Sequence, residues 1–179
     1  MSGMLISQYM DTPTITTSRL SLRPFTLQDT DSLHQILGVP GVLQYFPNPE
    51  LPERDRVEKL IKRQIKHWQD YGYGWWAVEP QAEKQLIGWS GLQYLPDTDE
   101  IEIGYLLSKP FWGNGLATES AIAGLEFGFE RLGLREIIGI VHPENLASQG
   151  VLKKIGMQFV RQAYYFGMDC YQYKINSKE

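Results

Sequence analysis

The apolar residues near the start of the chain change from a strand-like to a helix-like spacing. In Arg19–Arg23 every second residue is a leucine, which predicts a half-buried strand. After Thr26 and Asp29, either of which can cap a helix, apolar residues recur every three or four positions as far as Leu37. The same spacing returns over residues 53–71, after a proline-rich loop. This part of the chain therefore predicts a strand followed by two helices.

Three strand-like segments come next and are joined by short turns. They cover residues 73–79, 85–95 and 100–107, and the turns between them contain Pro80 and Pro96. Short connections between consecutive strands favour an antiparallel meander.

The pattern in the last third of the chain alternates between helices and strands. A glycine-rich turn at 113–115 leads into a helix with one apolar stripe, formed by Ile122, Leu125, Phe129 and Leu132. A strand, a helix and two closing strands are predicted over residues 136–141, 145–154, 158–164 and 168–175. The strand–helix–strand unit is expected to supply one locally parallel pair.

These elements predict a single α+β domain over residues 17–179. Its centre is a twisted, mostly antiparallel sheet of about seven strands, flanked by about four helices. Residues 1–16 are rich in serine and threonine and are expected to form a flexible tail.

Charge and cysteine content narrow the classes of partner. The net charge of −4 argues against a nucleic-acid backbone as a direct partner. The basic residues within 54–66 are interpreted as a solvated helix face, with an acidic acceptor or partner as the alternative. Cys170 is the only cysteine and is expected to be a packed thiol, and no metal site is expected. With neither a signal-like segment nor a membrane-length apolar run, the expected location is cytoplasmic, without a membrane partner.

The segment from 100 to 118 carries the main chemical signal. A strand ends at Leu107, and Gly113 and Gly115 then open a helix. The backbone N–H groups of residues 113–118 would stand at the positive end of the helix dipole, where a diphosphate can bind. A plain structural turn is the alternative. The Rossmann fingerprint is excluded because Thr118 stands where a small residue is needed.

Two motifs in this order resemble the GNAT superfamily of acetyltransferases. Residues 112–119, WGNGLATE, resemble its acetyl-CoA motif [Gln/Arg]-x-x-Gly-x-[Gly/Ala], with tryptophan at position 112 in place of the usual Gln or Arg. Residues 145–157, NLASQGVLKKIGM, are similar to a motif of the branch that contains the ribosomal-protein alanine N-acetyltransferases. Further partial matches at 17–29 and 102–107 extend the resemblance over nearly the whole chain.

The resemblance implies that acetyl-CoA is the co-substrate and that an acetyl group passes to a primary amine by direct attack in a ternary complex. It implies that the backbone of Tyr105 and Leu107 pairs with the pantetheine and that Asn145 holds the pantetheine arm. For Asn145, a simple helix N-cap is the alternative. The implied cofactor-binding residues are Tyr105, Leu106, Leu107, Trp112, Gly113, Asn114, Gly115, Leu116, Ala117, Thr118 and Asn145.

Two residues are candidates for proton chemistry. Leu152 occupies the position where many superfamily members have a tyrosine that serves as the general acid. The resemblance therefore assigns that role to Ser148, with an inert helix serine as the alternative. Strand alternation places Glu102 on one face with Glu100 and Gly104, where its carboxylate can take the proton of the amine or form an ion pair.

The acceptor and the assembly state stay open at this point. The acceptor is a protein N-terminal α-amine, a polyamine, or another amine-bearing small molecule, and the protein is a monomer or a homodimer. A non-catalytic acetyl-CoA-binding regulatory module is the alternative to an enzyme.

Overall fold

Eight strands form one open sheet across residues 12–178, the part of the chain that the computed structural model describes. The strands are β1 (Ile15–Thr16), β2 (Leu20–Arg23), β3 (Trp75–Pro80), β4 (Gly88–Leu95), β5 (Glu100–Leu107), β6 (Glu136–Val141), β7 (Gln158–Tyr165) and β8 (Met168–Asn176). Their order in the sheet is β1-β2-β3-β4-β5-β6-β8-β7. All neighbours are antiparallel except β5 and β6, which confirms the predicted sheet and its single parallel pair.

The first strand, β1, lies in a part of the chain that was predicted to be a flexible tail. Residues 15–16 were expected to be flexible, but they pair with Ser21 and Leu22 of β2 as β1. A two-residue strand leaves almost no alternation to detect, so its signal was missed. Residues 1–11 of the predicted tail lie outside the described residues.

Four α-helices pack on the sheet, as predicted. They are α1 (Thr30–Leu37), α2 (Arg54–Tyr71), α3 (Leu116–Glu126) and α4 (Leu146–Lys154). A short 3₁₀ turn at Leu27–Asp29 precedes α1, and Thr26 and Asp29 form a capping box at that turn. Asp29 is also the N-cap residue of α1, but its side chain makes no cap hydrogen bond to that helix. Gly72 ends α2 in the left-handed conformation, with φ of +75°.

The two faces of β5 belong to two different cores. Ile103 and Leu107 pack in the core that includes residues of α3 and α4. Leu106 points the other way, into the core formed with α1, α2 and Trp89. The predicted alternation along this strand is therefore correct, and β5 has a separate hydrophobic core on each face.

The apolar stripe predicted for α3 is wrong at one end. Ile122 is 40% exposed, whereas the helix buries its small residues Ser120, Ala121 and Gly124 against the sheet. A Cβ at Gly124 would lie 2.8 Å from Cδ1 of Ile103, so the helix backbone approaches the strand closely. The spacing of large apolar residues was misleading because the contact surface is built from small ones.

The parallel pair β5–β6 separates soon after it forms. Only one pair of residues, Glu102 and Ile138, is in register. Beyond that point β5 continues towards the glycine turn and α3, while β6 continues towards α4. The sheet is therefore open between the C-terminal halves of these two strands.

Candidate active site

A cavity of about 700 Å³ lies at the opening between β5 and β6. Its wall includes Glu102 from one face of β5 and Tyr105 from the other, so the cavity reaches both sides of the sheet. All but one of the residues predicted from the sequence line it: Glu102, Tyr105, Leu106, Leu107, Trp112, Gly113, Gly115, Leu116, Ala117, Thr118, Asn145 and Ser148. The exception is Asn114.

The glycine turn has the shape expected of an anion-binding loop. Gly113 and Gly115 both adopt φ of +75°, a region that residues with a side chain rarely occupy. Gly115 is the N-cap of α3, and no side chain caps this end within residues 12–178. The N–H groups of the first turn are therefore left for a ligand or water, beside the positive end of the helix dipole.

Two predicted cofactor residues have structural contacts that the sequence did not reveal. The indole N–H of Trp112 donates to the carbonyl oxygen of Leu107 at 2.7 Å. A carbonyl oxygen has two lone pairs, so this bond leaves room for the expected pairing of Leu107 with pantetheine. Asn114 does not line the cavity, and its backbone carbonyl oxygen accepts from Nη1 of Arg19 at 2.9 Å.

The first turn of α4 brings three predicted residues together. The side-chain oxygen of Asn145 accepts from the backbone N–H of Ser148 at 3.1 Å, so Asn145 is the N-cap of α4 and also lines the cavity. The hydroxyl of Tyr105 lies 2.9 Å from Oγ of Ser148. Ser148 is thus half-buried and hydrogen-bonded, unlike a solvent-facing helix serine.

Glu102 lies on the opposite side of β5 from this pair. Loss of hydration raises the pKa of its carboxyl group to about 8, and the negative charge of Glu100 adds to the shift. The backbone N–H of Ile140 on β6 partly offsets the shift. A carboxyl group with a pKa near neutrality can accept a proton from a reacting amine and release it to water.

The comparisons with known proteins agree with this geometry. Residues 19–158 match the family model described as an acetyltransferase (GNAT) domain. The chain belongs to the GNAT acetyltransferase family. The Bacillus subtilis protein YnaD, an uncharacterized N-acetyltransferase, is 31% identical over 144 residues, which are 80% of this chain and 82% of YnaD.

Solved structures show the same fold. An acetyltransferase from Agrobacterium tumefaciens is 25% identical and has a TM-score of 0.83, with 94% of this chain and 97% of that chain covered. RimL, a ribosomal L7/L12 alpha-N-protein acetyltransferase solved with coenzyme A, is 22% identical with a TM-score of 0.78, with 92% and 98% covered. The likeness to RimL is one of fold.

The acetyltransferase also has cavity residues that lie outside its two family motifs. Tyr45 and Phe46, from the loop between α1 and α2, line the cavity together with Trp89 and His142. The rings of Tyr45 and His142 stack with centroids 5.3 Å apart, so this loop contacts the segment that leads into α4. A loop has no apolar period, so the sequence pattern did not identify Tyr45 and Phe46 as cavity residues.

A polar cluster formed by Glu119 and residues 17–19 contacts the glycine turn of the acetyltransferase. Glu119, in the first turn of α3, accepts hydrogen bonds from Thr17, Ser18 and both the backbone and guanidinium of Arg19, at 2.6 to 3.1 Å. Burial would raise the pKa of this carboxyl group, but the hydrogen bonds hold it at about 2. Since Arg19 also holds the carbonyl of Asn114, we call this group the turn clasp.

Within residues 12–178, no three His, Cys, Asp or Glu side chains are grouped as metal ligands. None of the helices described there is long and apolar enough to cross a membrane. Cys170 is buried in β8, as predicted for a packed thiol.

Proposed function

We propose that this acetyltransferase moves the acetyl group of acetyl-CoA directly onto a primary amine while both substrates are bound. One observation carries the proposal: a single cavity joins the two faces of β5 where β5 and β6 part. The two ends of that cavity differ in chemistry. The donor and the acceptor can therefore approach the same point from opposite sides of the sheet.

The side formed by α3 and α4 suits the donor. The glycine turn offers unpaired N–H groups to a diphosphate, and a side chain at Gly115 would require strained backbone. Tyr105, Asn145 and Ser148 line the way from this turn into the gap, where a pantetheine arm would lie. RimL, which has the same fold, was solved with coenzyme A.

The opposite side suits the acceptor. Glu102 is placed there, with aromatic walls from Tyr45, Phe46 and Trp89. An amine that reaches the thioester beside Glu102 can lose its proton to that carboxylate, directly or through water. A protein N-terminal α-amine and a small-molecule amine both have the required nucleophile, so both are candidate acceptors.

The proposed reaction needs no covalent enzyme intermediate. The amine nitrogen attacks the thioester carbonyl, and β5 backbone N–H groups at the open gap can stabilise the charge on the carbonyl oxygen. The carbon–sulfur bond then breaks, and the electron pair stays on the sulfur of coenzyme A. Ser148, near the positive end of α4, is proposed to donate a hydrogen bond to that sulfur.

A thiol-release assay tests this function. The full chain is incubated with acetyl-CoA and, separately, short peptides with a free N-terminus, the same peptides with a blocked N-terminus, polyamines and amino alcohols. We expect release of coenzyme A together with a matching N-acetylated product for at least one free amine, and none for the blocked peptide. Acetyl-CoA binding without turnover on any of these amine classes would contradict the proposal.

A further inference from the structure

The side chain of Tyr105 makes a contact that its proposed place in pantetheine binding does not use. Its hydroxyl lies 2.9 Å from Oγ of Ser148 and 3.2 Å from the carbonyl oxygen of the same residue. Tyr105 projects from β5, and Ser148 projects from the first turn of α4, so the contact joins the two elements that flank the gap. Both residues line the cavity.

The phenol has one proton, and the geometry favours Oγ as its acceptor. The contact with Oγ is the shorter one. The carbonyl of Ser148 stands in the first turn of α4, where helix geometry gives it an N–H partner four residues later. When Tyr105 donates to Oγ, the hydroxyl hydrogen of Ser148 is left free to point into the cavity.

We propose that Tyr105 is a positioning residue that turns the hydroxyl hydrogen of Ser148 towards the leaving sulfur of coenzyme A. This inference rests on the proposed function and deepens it. Without the phenol, a serine in a helix can rotate and return its hydrogen bond to a backbone carbonyl of the preceding turn. With the phenol in place, Oγ of Ser148 already accepts a hydrogen bond from Tyr105. The hydroxyl hydrogen of Ser148 then points into the cavity.

The role is hydrogen-bond donation rather than proton transfer. As the carbon–nitrogen bond forms and the carbon–sulfur bond breaks, the electron pair moves to sulfur and the amine proton goes to Glu102. A thiol has a pKa of about 8.5, well below that of a phenol or an aliphatic hydroxyl. Burial raises the pKa of Tyr105 further above 10. Tyr105 and Ser148 therefore keep their protons, and the thiolate takes one from water after release.

The test is a double-mutant cycle with Tyr105→Phe, Ser148→Ala and the double variant, using the amine that the thiol-release assay selects. We expect Tyr105→Phe to lower kcat about three- to tenfold in the wild-type background and less than about twofold in the Ser148→Ala background. Acetyl-CoA affinity, measured by calorimetric titration, should change by less than about threefold because only one hydrogen atom in the site is redirected.

Tyr173→Phe is the matched control. Tyr173 is a buried tyrosine on β8, and its hydroxyl donates to Gln149 of the same helix α4 at 3.3 Å, away from the cavity wall. The Tyr173→Phe variant shows how the loss of a tyrosine hydroxyl that contacts α4 affects folding and turnover. We expect normal kcat, with at most a small fall in melting temperature.

A second donor separates sulfur stabilisation from a purely structural role. Acetyl-seleno-coenzyme A has a less basic leaving group, which needs less help in departing. We therefore expect the kcat loss of Tyr105→Phe to shrink to less than about twofold with this donor. Equal losses with both donors, or the same loss in the Ser148→Ala background as in wild type, would overturn the inference. If wild type releases no thiol with any amine, the proposed function itself fails.

Discussion

Glu102 shows how the position of one residue on a strand determines what it can do chemically. Its place at the single parallel pairing of β5 with β6 puts the carboxyl group at the edge of the opening, where it is poorly hydrated. Glu100, two residues earlier on the same face, accepts from Tyr165 and from Gln172, both at 2.7 Å, and so holds a negative charge near it. Loss of hydration and the charge of Glu100 together raise the pKa of the Glu102 carboxyl group.

The first prediction concerns the pH dependence of the reaction. The proposed base is the ionised form of Glu102, so kcat/KM should rise as the pH increases through about 8, the pKa of this carboxyl group. Glu102→Gln should remove this step and lower kcat/KM about 100-fold at pH 8. Rates are measured with two acceptors of different amine pKa, since the acceptor titrates too. Glu83→Gln, in an exposed turn, is the control. A step that moves with the acceptor and persists in Glu102→Gln would exclude Glu102 as the base.

The second prediction concerns Ser148. We expect Ser148→Ala to lower kcat at least about tenfold, because the leaving thiolate loses a hydrogen bond near the positive end of α4. Acetyl-CoA affinity should change little, since the serine acts mainly as charge develops on sulfur. Steady-state rates and a cofactor titration separate the two quantities. Unaltered turnover would mean that water or another group assists the sulfur.

At the level of elements, the glycine turn joins β5 to α3 and sets the direction of the unpaired N–H groups. Two left-handed residues in the space of three make this turn possible. A Cβ at Gly115 would have only Nη2 of Arg19 nearby, at 3.6 Å, so the space in front of it is not filled by protein. Substitution of Gly115 is therefore restricted by its backbone conformation and by the space that a bound ligand needs.

The third prediction tests that turn. Gly115→Val should abolish measurable acetyl-CoA binding, because a β-branched residue resists a φ of +75° and obstructs the approach of the diphosphate. Gly133→Val is a matched control, since Gly133 has φ of +65°, open surroundings and no place on the cavity wall. Both variants should lose stability to a similar degree, and only the first should lose the cofactor in calorimetric titration. Unchanged affinity in folded Gly115→Val would remove the turn from the binding site.

The fourth prediction concerns the turn clasp, which ties residues 17–19, between β1 and β2, to α3. The pKa of Glu119 is about 2, below the ordinary 4.5, so its stabilising effect is complete above about pH 4.5 and fades as the pH falls towards 2. Glu119→Gln should lower the free energy of unfolding at pH 7 by about 1–3 kcal/mol and weaken its dependence on acid. Denaturant unfolding across this pH range measures both. Glu136→Gln breaks only the exposed pair with Lys174 and should change little, whereas equal losses would show that the clasp has no special role.

For the whole molecule, the sequence predicted what depends on local periodicity and on motif order. It identified seven of the eight strands described, the four helices, the parallel pair and the residues that meet at the gap, since each has a short-range pattern or matches a family motif. It missed β1, which is too short to show a period, and the burial of α3 through small residues. It also missed the contact of Tyr105 with Ser148 and the bond from Trp112 to Leu107, because side-chain contacts across elements have no signature along the chain.

The central claim for the whole molecule is that donor and acceptor occupy one cavity through the gap between β5 and β6 and react there directly. Initial rates measured while both acetyl-CoA and the best amine are varied test this claim most directly. Direct transfer in a ternary complex predicts double-reciprocal lines that intersect, and no acetyl group on the protein after incubation with acetyl-CoA alone. Parallel lines, with an acetylated protein detected by mass spectrometry, would contradict the account, because the acetyl group would then pass through the enzyme.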